Sequence, residues 1–191
     1  ENVRGALPRI ETQIFYLAGS IELGGNLTGI NPIDEAKLFN MSDYIVEGSA
    51  EALQNTDNSI LLGIGIAKKM ALKVGDRVQI SPINGGIFPL KIVGFYQSGI
   101  SDVDAMQSFT TIKTVQRILG EANTYITDIN VKLYDIEQAV PLSKKIEQQF
   151  NLKAVDIKTA NAQFDTGTSV RNLITYAVSV ALLIVAGFGI Y

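Results

Sequence analysis

The sequence predicts an α+β fold: a β-rich part at about residues 10–112, a β-α-β part at about 125–157, and the start of a transmembrane helix at 172–191. Three patterns lead there. Strand-type runs bounded by turn signals recur through the first part, with period-two alternation at 77–80 and 88–92. Alternation gives way to helical spacing and returns in the second. The final stretch carries no charge.

Ile10 to Ala18 is rich in β-branched and aromatic residues and reads as a strand. Ser20 to Leu23 leads to Gly24-Gly25-Asn26, a turn cluster predicting a hairpin that returns through Leu27 to Ile30. Asn31-Pro32 then offers a cap and a first-turn proline, and Asp34 and Glu35 complement a helix N-terminus, so a short helix runs to about Asn40. Ser59 to Leu62 is a short apolar strand. Ile64, Ala67, Met70, Ala71 and Val74 repeat at helical spacing, with Lys68, Lys69 and Lys73 on the wet face. Gly75 is expected to end that helix as a left-handed cap.

Val78 and Ile80 alternate with Arg77 and Gln79, and Asn84-Gly85-Gly86 turns this strand into Ile87 to Tyr96, where Phe88, Leu90 and Ile92 share a face. Thr127, Ile129, Val131 and Leu133 alternate with polar residues and predict a strand with one wet face. Asp135 and Gln138 stand at capping-box spacing before a stripe of Ile136, Ala139, Val140, Ile146 and Phe150, and Leu152 to Ile157 is expected to return as a strand.

Asn172 to Tyr191 reads NLITYAVSVALLIVAGFGIY, and all 16 basic and 19 acidic residues precede it. Its 20 residues, at about 1.5 Å each, span roughly the 30 Å of a bilayer's hydrocarbon core.

Composition removes whole classes of chemistry. With no cysteine and no histidine, thiol nucleophiles, Cys/His zinc sites and serine-histidine triads are excluded. A pI near 5.0 with near-balanced charge gives no electrostatic footprint for nucleic acid. Gly63-Ile64-Gly65 lacks the third glycine and the lysine-serine pair of nucleotide loops, so it reads as a strand-to-helix turn. Ser101-Asp102-Val103-Asp104 has two carboxylates but no complete cation loop, so it reads as a solvated turn. No catalytic, cofactor-binding or metal residues are therefore assigned.

Several stretches in order carry a resemblance: GINPIDEAK at 29–37, IVEGS at 45–49, ILLGIGIAKKMALKVGDRVQI at 60–80, KIVGFYQSGISDVDAMQSFTTI at 91–112, ITDINVKLYDIEQA at 126–139, and NAQF at 161–164 ahead of the apolar segment. Together they resemble the periplasmic domain of ABC transporter permeases of the MacB/LolC/LolE type, within the wider FtsX-like superfamily. The resemblance implies a porter-like α/β subdomain beside the β-rich one, with residues 1–165 extracytoplasmic and N-terminally incomplete, at a bacterial inner membrane. It implies a cytoplasmic ATPase subunit that holds the ATP and magnesium, a second permease copy, identical or not, and ATP-driven movement passed to the periplasm by mechanotransmission.

The family's lipoprotein-handing members carry a long hook-like hairpin loop where this chain has only SPINGGI at 81–87. A chaperone-grasping hook is therefore not expected, and export or another role is favoured over lipoprotein transfer by that route; Pro82, Ile83, Asn84, Gly85 and Gly86 of the short hairpin are the candidate residues for contact with a periplasmic partner. Alternative readings are a regulator of periplasmic cell-wall hydrolases, a single-pass membrane-anchored binding domain, or a carboxylate-dependent membrane enzyme.

Overall fold

A computed structural model describes residues 2–160. In chain order the elements are β1 (Val3–Ala18), β2 (Ile21–Ile30), α1 (Pro32–Phe39), β3 (Ile45–Gly48), α2 (Ala50–Asn55), β4 (Ser59–Gly63), α3 (Ile64–Met70), β5 (Arg77–Pro82), β6 (Phe88–Tyr96), α4 (Ser101–Asp104), β7 (Gln107–Thr111), α5 (Ile112–Leu119), β8 (Asp128–Leu133) and α6 (Ala139–Phe150). Residues Val3–Lys132 form one unit. Asn2 and the described residues from Leu133 onward form another. The α+β class expected from sequence is what folds.

Within the first unit the strand order β2-β7-β4-β6-β5-β1 closes on itself, because β1 also pairs with β2. Closure abolishes the edges that an open sheet would expose. Two of the six pairings are parallel, β2 with β7 and β4 with β6, and the others are antiparallel. Strand β3 pairs with β6 off this ring, and β8 extends it beyond β1.

The barrel is filled by side chains. Ile10, Ile14 and Tyr16 of β1, Leu27 of β2, Ile60 and Leu62 of β4, Val78 and Ile80 of β5, and Leu90 and Ile92 of β6 are buried in one cluster, capped by α3 and α5 through Ile66, Met70, Val115 and Ile118. Burying each of the large ones contributes about 1.5–3 kcal/mol. A second cluster of Ile30, Met41, Leu53, Leu61 and Val93 includes residues of α2 and of the turn after α1.

Helix α1 follows its sequence signals: Asn31 caps it by accepting from the amides of Ile33 and Asp34, Pro32 opens it, and Asn40 ends it in the left-handed region. The β5–β6 hairpin also forms as expected, with Ile80 opposite Phe88.

Several expectations are corrected. The first hairpin turns at Gly19-Ser20, with Ala18 opposite Ile21, and not at Gly24-Gly25-Asn26, which lie inside β2. Gly19 has φ +60°, as the first position of a two-residue loop demands. Gly25 answers a different constraint: a Cβ there would lie 2.5 Å from the Met106 carbonyl oxygen and 2.5 Å from the Tyr16 ring. A glycine inside a strand here marks close approach, not a turn.

Secondly, α3 ends at Met70 with Ala71 left-handed, and Gly75 serves the following turn, where its N–H donates to Ile92 O. The early stop lets Leu72 and Val74 pack on the barrel core. Thirdly, Leu152–Ile157 forms no strand among the described residues: 151–156 carries neither helix nor strand, and Leu152, Val155 and Ile157 are exposed. Finally, the covered face of β8 is the polar one. Ile129 and Val131 face solvent, whereas Asn130 and Lys132 turn toward Arg9 and Phe39. The stripe on the last helix is likewise not buried, with Ile136 and Phe150 exposed.

No helix among the described residues is long and apolar enough to cross a membrane, and the span expected at Asn172 to Tyr191 lies outside them.

Tyr16 places an ionisable group in the barrel interior. The Tyr16 hydroxyl donates to Ser108 Oγ at 2.7 Å, and burial pushes its pKa well above the ordinary phenol value of 10.0. A folded-state pKa above the unfolded one stabilises below about pH 10 and is lost as pH rises further. Urea unfolding followed by circular dichroism should show stability falling above about pH 10, with a shallower fall in Tyr16→Phe. By the same measurement at neutral pH, Gly25→Ala should cost about 2 kcal/mol or more through overpacking. Gly24→Ala, whose Cβ would meet the Phe15 ring at 3.9 Å, should change stability by less than about 0.5 kcal/mol.

Candidate functional site

The β5–β6 hairpin is built so that its tip projects apolar side chains without charge. Pro82 closes β5 and is buried, and its carbonyl accepts from Gly85 N at 3.0 Å. Gly85 and Gly86 have φ +92° and +91°, a region that side chains with a Cβ rarely enter, so the tight return depends on both. Ile83 and Ile87 flank this turn, 72% and 61% exposed, and Asn84 is exposed between them.

Pro82 thus anchors the expected contact set, and Ile83, Asn84, Gly85 and Gly86 form its free end. The structure adds Phe15. This residue pairs with Ser81, two positions before Ile83, and is 41% exposed on the barrel exterior. Opposite it stands Gly24, which leaves the ring uncovered. The run from Ile14 to Ala18 is apolar on both faces, the sequence pattern of a strand with an apolar outer face.

Sequence reasoning misplaced Asp104. The 101–104 segment is a short helix, and Asp104 is buried. Its carboxylate accepts from Ser98 N at 2.6 Å, Ser98 Oγ at 2.8 Å and Gly99 N at 3.2 Å, so it fastens the loop after β6 onto α4. The acceptor's capacity is used on protein donors. Nearby, burial and then the Asp104 charge push the Tyr96 phenol up.

Gly63 and Gly65 serve the same region. Cβ atoms there would lie 2.5 and 2.8 Å from the Asp104 carbonyl oxygen, so the strand-to-helix turn is glycine-rich to let α4 sit against it. Lys68 and Lys69 of α3 are exposed, as is Lys73 in the turn that follows the helix.

In the second unit an open groove runs between α6 and residues 153–160, lined by Lys144, Glu147, Lys153 and Asp156. Its Ser143 hydroxyl donates to Val140 O of its own helix, and Asp156 accepts from Thr159 N and Oγ1, hydrogen bonds that hold its carboxyl below the usual range. Among the described residues no group of acidic side chains is placed to hold a metal ion.

A family model described as the MacB-like periplasmic core domain matches residues 1–149. The lipoprotein-releasing system transmembrane protein LolC of Neisseria meningitidis serogroup B is 24% identical over 206 aligned positions, covering 100% of this chain and 49% of the relative. LolC of Xylella fastidiosa is 25% identical over 160 positions, covering 78% and 38%. The chain therefore spans about half the length, or less, of these curated relatives. Among solved structures, the periplasmic region of MacB from Actinobacillus actinomycetemcomitans superposes with a TM-score of 0.56 at 13% identity, covering 86% of this chain and 77% of that one. The extracellular domain of the noncanonic ABC-type transporter YknZ from Gram-positive bacteria gives 0.52 at 13% identity, covering 81% and 80%. At such identities the structural likeness is one of fold.

Replacing Asp104 with alanine strands three donors and should lower stability by about 3 kcal/mol in urea unfolding. Asp102→Ala, at an exposed position, should change it by less than about 0.5 kcal/mol.

Proposed function

The chain belongs to the family of MacB-like periplasmic core domains, and from that premise we propose that it is the extracytoplasmic part of a permease subunit of an ABC transporter. The family match over residues 1–149 carries this reading. The permease would sit in a bacterial inner membrane with residues 1–165 outside the cytoplasm and 172–191 entering the bilayer. ATP and its magnesium would bind a separate cytoplasmic ATPase subunit, and a second permease copy would complete the assembly.

The role proposed for this part is non-catalytic. Hydrolysis on the cytoplasmic side moves the extracytoplasmic domains, which in turn move a substrate or release a lipoprotein. A filled barrel supports this, since its interior is packed side chain to side chain and offers no passage. Its exterior is where a partner must be met, and the hairpin tip of Pro82, Ile83, Asn84, Gly85 and Gly86 is the proposed place. An apolar, uncharged tip suits a desolvated contact with an extracytoplasmic protein.

The brevity of the Ile83–Ile87 turn favours weighing a second reading, in which the protein regulates cell-wall hydrolases without transport. A short tip can touch a partner but reaches less far than a long hook.

Co-purification of the full-length permease with the ATPase subunit, and stimulation of ATP hydrolysis in the complex, tests the leading proposal. Failure to associate overturns it. Capture of a cell-wall hydrolase by the same complex, with no transported substrate, would establish the second reading. The double substitution Ile83→Ser with Ile87→Ser should leave the unfolding midpoint unchanged, since both side chains are exposed, and should weaken capture of the extracytoplasmic partner by about tenfold or more.

A further inference from the structure

Strand β1 changes partners at Arg9. From Ile10 onward it pairs with β2 inside the barrel, whereas the Arg9 carbonyl accepts from Thr127 N at 3.0 Å, immediately before β8. Residues Val3–Arg9 and Asp128–Lys132 thus form a two-stranded ribbon leading out of a closed barrel. A ribbon of two strands is marginal by itself and would swing at such a junction.

The side chains at the junction counter that freedom. Arg9 Nε and Nη2 donate to Glu35 Oε1 and Oε2 of α1, each at 2.7 Å. The two side chains are 18% and 3% exposed, so this is a desolvated bidentate pair, unlike a surface ion pair. The guanidinium also lies over the Phe39 ring, 5.2 Å from its centroid, and Lys132 of β8 approaches the same ring at 5.7 Å. With its amide oxygen turned to accept, Asn130 takes Arg9 Nη1 at 2.6 Å. Farther out, Gly5 brings the ribbon so close to α1 that a Cβ would lie 2.8 Å from Leu38 Cδ2.

We infer that Arg9 and Glu35 form a strut that locks the β1/β8 ribbon to the barrel through α1, so that the two move as one rigid body. One guanidinium then joins three elements: its own strand, α1 through Glu35, and β8 through Asn130. Displacement of the ribbon would reach the barrel without being absorbed at the partner switch. The strut is a positioning device and takes no part in chemistry. It stands on the junction's geometry and does not depend on the transport reading.

The absence of cysteine makes the test direct. In the full 191-residue chain in detergent micelles, Ala6→Cys on the ribbon and Lys91→Cys on β6, both exposed, are spin-labelled, and the distance distribution is measured by pulsed EPR. A single narrow distribution is expected, broadening by about twofold or more when Glu35→Gln or Arg9→Lys is added. Lys68→Gln, on the wet face of α3, should leave the width unchanged. A broad distribution in the labelled parent overturns the proposal, as does a width unaffected by both junction substitutions in chains whose circular dichroism stays native. If Glu35→Gln does not fold, Arg9→Lys, which keeps the charge but loses the fork, decides by the same criterion.

Discussion

Strand β1 is hydrogen-bonded along both edges, to β2 from Ile10 to Ala18 and to β5 from Ile14 to Leu17, and this double pairing closes the barrel. Were either ladder lost, six strands would become an open sheet with two exposed edges and a core uncovered on one side. Other features follow from closure. The interior has room for one side chain per inward position, so Ile14, Tyr16, Ile80 and Leu90 occupy it and glycine stands where backbone or ring comes too near. Outward positions become free for other uses, and Phe15 and the Ile83–Ile87 tip take one of them.

Closure also explains the placement of polar groups. Tyr16 enters an apolar interior with its hydroxyl, and Ser108 on β7 receives it, tying the first strand to the last of the ring. Asp104 is buried at the loop between β6 and β7, where its carboxylate substitutes for the ladder partners that Ser98 and Gly99 lack. Arg9 and Glu35 do the same at the point where β1 leaves the barrel. Asp104 and the Arg9–Glu35 pair are buried where a strand ends or changes neighbours, and they and Tyr16 are each satisfied, as the cost of an unpaired buried group requires.

Local signals were legible where chemistry is local. Asn31-Pro32 followed by Asp34 and Glu35 defined α1 and its cap, Asn84-Gly85-Gly86 defined the hairpin, and the ordered motifs from GINPIDEAK to ITDINVKLYDIEQA pointed to the family. The hairpin tip of the candidate site was legible for the same reason. Phe15 was not singled out, because its exposure depends on which strand lies opposite and on Gly24 being there. Gly24-Gly25 misled because a glycine's reason is invisible in sequence: turn and close approach look alike until the neighbour is known. Gly25 answers to Met106, 81 positions away, and Asp104 looked solvated because its donors at Ser98 and Gly99 match no recognised local motif.

By itself the sequence determined the class of elements, the family, the absence of thiol and imidazole chemistry, and an uncharged segment from Asn172 of membrane-spanning length. The family rests on the resemblance of its ordered motifs, and the others rest on periodicity, composition and short-range caps, which act within a few residues. The tertiary structure alone decided that the strands close into a barrel, that the apolar face of β8 is the outer one, and that Arg9 meets Glu35. Those outcomes come from pairings between distant segments, and a strand's alternation records that it has two faces without recording which neighbour each will meet.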